Sequence, residues 1–82
     1  MSTIDGDDRQ DPALVTSTQE LARLLRTRRR ELGLTQETLS GVVGLNRSSL
    51  SLIEQGKVGL TVKTAIRLVQ ALGMDIEVRR RQ

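Results

Sequence analysis

Arg47, Ser48, Ser51 and Leu52 fall within six consecutive positions, and Gln36 stands eleven residues before Arg47. An arginine guanidinium is a planar fork of donors that fits guanine O6 and N7 together, and a glutamine amide can pair with adenine or meet a phosphate. Serine hydroxyls hydrogen-bond to either kind of group, and a leucine can touch a thymine methyl. Together these types could read base edges in a DNA groove. They could equally make up an ordinary solvated helix face, so the elements that carry them decide between the two.

Those elements are two short helices between Thr35 and Lys57. Thr35 can accept from the free amides of a first turn, with Glu37 near the positive end of the helix dipole. Leu39, Val42 and Val43 then recur at i, i+3 and i+4, and Gly44 follows where a left-handed residue can end a helix. Asn46 is a second N-cap candidate, Leu50 and Ile53 turn the next helix inward, and Gly56 ends it ahead of Lys57. Arg47, Ser48, Ser51 and Leu52 are left facing out. A short glycine-containing turn of this kind lets the second helix enter a major groove while the first crosses the backbone.

Composition narrows the alternatives. The chain has 82 residues with no His, Cys, Phe, Tyr or Trp. The usual general bases, nucleophiles and metal ligands are mostly missing, so no enzyme, cofactor or metal site is expected. Ser48, Ser49 and Ser51 have no evident group to take a proton. Without aromatic rings a stacking single-strand binder is disfavoured. The segment 1–16 holds four aspartates against one arginine, a net charge of −3, leaving twelve basic and six acidic residues, or +6, on the remainder. That balance suits a surface facing phosphates, although solvation alone would also explain it. No run approaches the roughly 20 apolar residues of a membrane span, and a cytoplasmic protein is expected.

The rest of the chain supports the pair. Residues 1–16 lack apolar periodicity and are expected to form a mobile acidic tail, with Ala13, Leu14 and Val15 able to pack lightly on the body. Ser17 and Glu20 make a capping box for a helix whose apolar face is Leu21, Leu24, Leu25 and Leu32, ending at Gly33. Arg28, Arg29 and Arg30 diverge by about 100° each and cannot form one stripe. Arg28 and Arg30 are left for phosphates or for solvent. After Lys57, Thr61 caps a fourth helix running to about Leu72, with Val62, Ala65, Ile66, Val69 and Leu72 inward and Gly73 as its stop. Residues 17–73 thus form the folded domain of a mainly α protein.

Residues 74–82 read differently. Met74, Ile76 and Val78 alternate with charged residues at period two, the pattern of a half-buried strand. No second strand is evident in the chain, and a lone strand leaves its backbone groups unpaired. The expected partner is the same strand of a second copy, giving a homodimer. Such a dimer would place two reading helices roughly 34 Å apart and call for a palindromic double-stranded operator.

The run LGLTQETLSGVVGLNRSSLSLIEQGK closely resembles the helix-turn-helix of the phage-repressor-like family, the Xre or Cro type, in which Thr-Gln opens the second helix and Ile-Glu-x-Gly ends the third. The resemblance implies a four-helix lambda-repressor-like fold in which Gln36, Arg47, Ser48 and Leu52 contact bases while Thr35, Asn46, Gln55 and Lys57 approach phosphates. It also implies an ion pair between Arg29 and Glu54 that sets the angle of two helices. Ser40 departs from the alanine usual in the family, and Gly41 costs roughly 1 kcal/mol of helix propensity. Four helices followed by ALGMDIEVRR look like the HipB-type antitoxins. That likeness implies a repressor of its own operon that also binds a HipA-type kinase toxin; a stand-alone repressor without a toxin is the alternative.

Overall fold

The computed structural model describes residues 12–81, which hold four helices: α1 (Thr18–Glu31), α2 (Gln36–Val43), α3 (Arg47–Glu54) and α4 (Val62–Ala71). Each begins at a side-chain oxygen that accepts an amide three residues on. Ser17 takes Glu20 N, Thr35 takes Thr38 N, Asn46 takes Ser49 N and Thr61 takes Thr64 N. Each cap contributes about 1 kcal/mol, which matters for α2 and α3 because helices of eight residues are unstable alone.

The capping box of α1 is shifted by one residue. Glu20 reaches back to Thr16, accepting from its backbone N–H at 2.7 Å and from its hydroxyl at 2.8 Å. These bonds hold the exposed Glu20 carboxyl below its ordinary value, the backbone bond from Thr16 leading. Thr16 is thus tied to α1 although it lies inside the expected tail, of which residues 1–11 lie outside the described residues. Ala13, Leu14 and Val15 are all exposed and do not pack on the body.

The helices stop at residues with positive φ. At Gly44, φ of 79° lets the turn into α3 close, with Leu45 N donating to Ser40 O at 2.9 Å. Gly56 combines a φ of 71° with a close approach, since a Cβ there would lie 3.3 Å from Gln19 Cγ of α1. The only strain-free residue at such a φ is glycine.

Leu25, Leu39, Val43, Leu50, Ile53, Leu68, Val69 and Leu72 form one buried cluster, with Leu21, Leu34, Leu45, Leu60, Ala71 and Met74 packed around it. Helix α2 lies against α3 and α4, and α1 lies against α3. Every helix supplies the core, so α3 is held from behind by all of it.

The inward faces differ from the expected ones at several positions. On α4 the buried arc runs through Leu68, Val69 and Leu72, and Val62 and Ile66 fall on its rim, Val62 at 74% exposure. With about 100° per residue, the burial centre has turned by about 50°, half of one residue step, from the expected stripe. On α2, Ser40 is buried while Val42 is exposed. Ser40 can take a core position because its hydroxyl donates to Glu37 O at 2.9 Å and leaves no orphan. On α1, Ala22 joins Leu25 in the core, and Leu32, at the C-cap, is exposed.

No strand occurs among the described residues. Residues 74–80 leave α4 without secondary structure: Met74 is half-buried, whereas Ile76 is 51% and Val78 93% exposed. A strand exists only with a ladder partner, and the described residues of one copy offer none. The architecture is mainly helical, and no helix among the described residues is long and apolar enough to cross a membrane.

Candidate nucleic-acid interface

Helix α3 divides cleanly into two arcs. Leu50, Ile53 and Glu54 are buried, and the opposite positions Arg47, Ser48, Ser51 and Leu52 together line one shallow concavity open to solvent. With about 100° per residue those four span about 140° of the helix surface, one contiguous strip. Arg47 is exposed at the first turn, and it pairs with no acidic group among the described residues.

The polar residues around this strip hold one another. Asn46 Oδ1 accepts both Ser49 N–H at 2.8 Å and the Ser48 hydroxyl at 2.9 Å. Gln55, the C-cap of α3, lays its amide back on Ser51, Nε2 to Oγ at 3.0 Å. Thr35, besides capping α2, donates its hydroxyl to Thr38 Oγ1 at 2.9 Å. Lys57 is exposed just past Gly56, its N–H closing the end of α3 on Leu52 O at 3.1 Å. Thr35, Asn46, Gln55 and Lys57 therefore stand at the ends of α2 and α3, where the chain turns.

Behind the strip sits the ion pair between α1 and α3. Arg29 Nε donates to Glu54 Oε2 at 2.7 Å and its second terminal nitrogen to Oε1 at 2.9 Å. Its remaining nitrogen donates to Leu34 O at 2.8 Å, so all three nitrogens of the guanidinium are engaged. Glu54 is 2% and Arg29 8% exposed. Burial works against the Glu54 charge, but hydrogen bonds from Arg29 and Gln36 and the charges of Arg29 and Arg26 outweigh it and hold the carboxyl below its ordinary value. Arg29 is pushed up by its bonds to Glu54.

Gln36 belongs to the same network. Its Nε2 donates to Glu54 Oε1 at 3.1 Å. A carboxylate oxygen can only accept, so the amide orientation is decided, and Oε1 is the end turned away from the pair. The residue is half-buried rather than freely presented. Nothing at the level of residue type announces this contact, because Gln36 and Glu54 are eighteen positions apart.

Arg28, half-buried, turns its guanidinium onto the end of α4. Its Nε donates to Leu72 O at 3.0 Å, capping the C-terminus of α4, and it also meets Glu31 at 3.4 Å. A cation at the carbonyl end of a helix is favourably placed. Arg30 is exposed. Met74, Ile76 and Val78 lie beyond α4, away from any bonded partner strand among the described residues.

Comparison with known proteins agrees with this arrangement. A model described as a helix-turn-helix domain matches residues 20–82. An uncharacterised HTH-type transcriptional regulator of Methanothermobacter thermautotrophicus is 40% identical over 52 residues, 63% of this chain and 75% of that protein. The restriction-modification controller protein C.AhdI from Aeromonas hydrophila superposes with a TM-score of 0.67 at 31% identity, over 71% of this chain and 84% of that one. HipB, in a HipA-HipB-O2-O3 complex and in a HipB-O4 20mer complex, superposes with a TM-score of 0.74 over 85% of this chain and 99% of that one. Its identity of 21% extends the likeness to the fold alone. With four capped helices, a glycine turn between the second and third, and a polar strip on the third, the chain belongs to the Xre-type helix-turn-helix family and is a transcriptional regulator with a helix-turn-helix DNA-binding domain.

Proposed function

We propose that the chain is a dimeric repressor that lays α3 in the major groove of a palindromic double-stranded operator. The carrying observation is the contiguous outward strip of exposed Arg47, Ser48 and Leu52 with half-buried Ser51 between them, backed by a buried inner arc. In this reading those four residues and Gln36 read bases, and Thr35, Asn46, Gln55 and Lys57 meet phosphates. The folded domain is 17–73, and 74–82 supplies a dimerisation strand through Met74, Ile76 and Val78. The exposure of Ile76 and Val78 supports that role, because an apolar alternation left open in one copy is what a partner strand would cover.

The regulator is further proposed to be a HipB-like antitoxin that controls its own operon and binds a HipA-type kinase toxin. The superposition over 99% of the HipB chain supports this branch. The higher sequence identity to C.AhdI favours a regulator with no toxin partner, the second reading.

Three experiments test these readings. Arg47→Ala is expected to cost about 1 to 3 kcal/mol on the specific site and to relax sequence choice there. Equal losses on specific and random DNA would remove Arg47 from base reading. Truncation before Asp75 is expected to leave a monomer by light scattering, and an unchanged dimer mass would refute the strand. For the toxin, a nuclease-treated pull-down from the native host should bring down a stoichiometric kinase-like protein; recovery of the homodimer alone would favour the second reading.

A further inference from the structure

The cap of α3 dictates the hydrogen-bonding polarity of one residue on the outer strip. Asn46 accepts Ser49 N–H at 2.8 Å, so the atom at that point is the side-chain oxygen and not the amide nitrogen. Ser48 Oγ lies 2.9 Å from the same oxygen. An amide oxygen has no proton to give, so the Ser48 hydroxyl donates its only proton to it. Ser48 is exposed and lines the concavity with Arg47, Ser51 and Leu52. What its oxygen can offer outward is lone pairs. Serine is ordinarily indifferent between donor and acceptor bases, and here that indifference is removed. Ser51 is under no such constraint, because Gln55, which bonds its hydroxyl, can present either end of its amide.

We propose that Ser48 is a specificity-determining acceptor that selects an amino base, adenine or cytosine, over a keto base, guanine or thymine, on the strand it faces. This rests on the reading that places the outer strip of α3 in the major groove. Adenine N6 and cytosine N4 present donors there, while guanine O6 and thymine O4 present acceptors. Opposite a keto base, the lone pairs of Ser48 meet the lone pairs of a carbonyl unless the hydroxyl leaves Asn46 and uncouples from the cap. Every base pair holds one amino and one keto group in the major groove. Ser48 therefore reads which strand carries the amino base, and does not distinguish A·T from G·C.

The test is selection of the full chain on a random duplex library, comparing wild type with Ser48→Ala, Asn46→Gly and Asn46→Asp. Glycine is tolerated at an N-cap with little loss of helix but removes the acceptor, and aspartate keeps it. Wild type should show one position per half-site enriched for amino over keto bases by roughly three- to tenfold, the effect of one neutral hydrogen bond. Ser48→Ala and Asn46→Gly should each erase that bias, and Asn46→Asp should retain it; Asn46→Gly also gives up a proposed phosphate contact, which weakens binding to all sequences alike and leaves the preferences at other positions in the same order. A keto preference at the Ser48-dependent position overturns the inference, and so does a bias that survives Asn46→Gly. The sign of the wild-type bias decides the matter even if Asn46→Gly does not fold. If neither Arg47→Ala nor Ser48→Ala alters any position, the placement of α3 in the groove falls first, and the role of Ser48 with it.

Discussion

Replacing Arg29 with leucine removes the clamp between α1 and α3 while keeping an aliphatic stem in place. The guanidinium donates to both oxygens of Glu54, at 2.7 and 2.9 Å, and to Leu34 O at 2.8 Å. Its loss leaves a carboxylate of 2% exposure with Gln36 as the one remaining side-chain donor. Removing one partner of a buried pair costs about 3 to 5 kcal/mol, a large fraction of the roughly 5 to 15 kcal/mol that holds a domain together. Gln36 still supplies one neutral bond, worth about 1 kcal/mol, so the lower part of that range is expected. The double variant Arg29→Leu with Glu54→Leu buries no charge and should recover most of the loss. Urea midpoints at pH 7 and constant slope measure all three chains. If Arg29→Leu costs under about 1 kcal/mol, or the double variant loses the sum of the two single losses, the clamp is not what orients these helices.

Acidification gives the same reasoning an independent check. In the wild type the Glu54 carboxyl is held below its ordinary value of 4.5, so the folded chain binds fewer protons than the unfolded one. The stability it contributes is complete above that ordinary value and drains away as pH falls through the lower, folded value. In Arg29→Leu, burial is opposed only by Gln36 and the charge of Arg26, and the carboxyl should rise above its ordinary value. That variant should therefore gain stability on acidification from pH 7, where the wild type loses it as pH approaches its folded value. Parallel pH profiles for the two chains would refute this account of the burial.

Gly41→Ala should raise stability by about 1 kcal/mol, because Gly41 lies inside α2 and a Cβ there would meet nothing within 4 Å; a lowered urea midpoint would refute it. Lys57→Ala should weaken binding to all DNA sequences alike and lower the slope of log affinity against log salt by about one, as expected for one lost phosphate contact. An unchanged salt slope would remove Lys57 from the backbone contacts.

Helix boundaries were legible because their signals are local. Ser17, Thr35, Asn46 and Thr61 each act on an amide three residues ahead, and Gly44 and Gly56 act at the residue they occupy. Inward faces were less legible. Helix α4 is apolar at Val62, Ala65, Ile66, Leu68, Val69, Ala71 and Leu72, around more than half its circumference, so its periodicity admits neighbouring rotations equally well. Packing into the shared core selects the rotation that buries Leu68. Ser40 and Val42 show the same limit from the polar side. A hydroxyl that satisfies itself on Glu37 O can be buried at little cost, and residue type alone ranks the two positions in the wrong order.

The arginine run shows why a site is harder to read than a fold. Arg28, Arg29 and Arg30 are chemically identical and adjacent, yet one clasps the last carbonyl of α4, one is buried against α3 and one faces solvent. Helical divergence of about 100° per residue separates them, but which partner each meets depends on residues 25 to 44 positions away. Such contacts carry no local signature. The outer strip of α3 escapes this limit because it is identified by subtraction: Leu50 and Ile53 must face the core, and a helix of eight residues then has only one remaining side. Ser48 lies between the two cases. Its position on the strip follows from spacing, but the direction of its proton follows from Asn46, two residues earlier, whose oxygen is already committed to starting the helix. The donor requirement of a helix N-terminus is thereby carried one side chain further, onto the surface that reads the base.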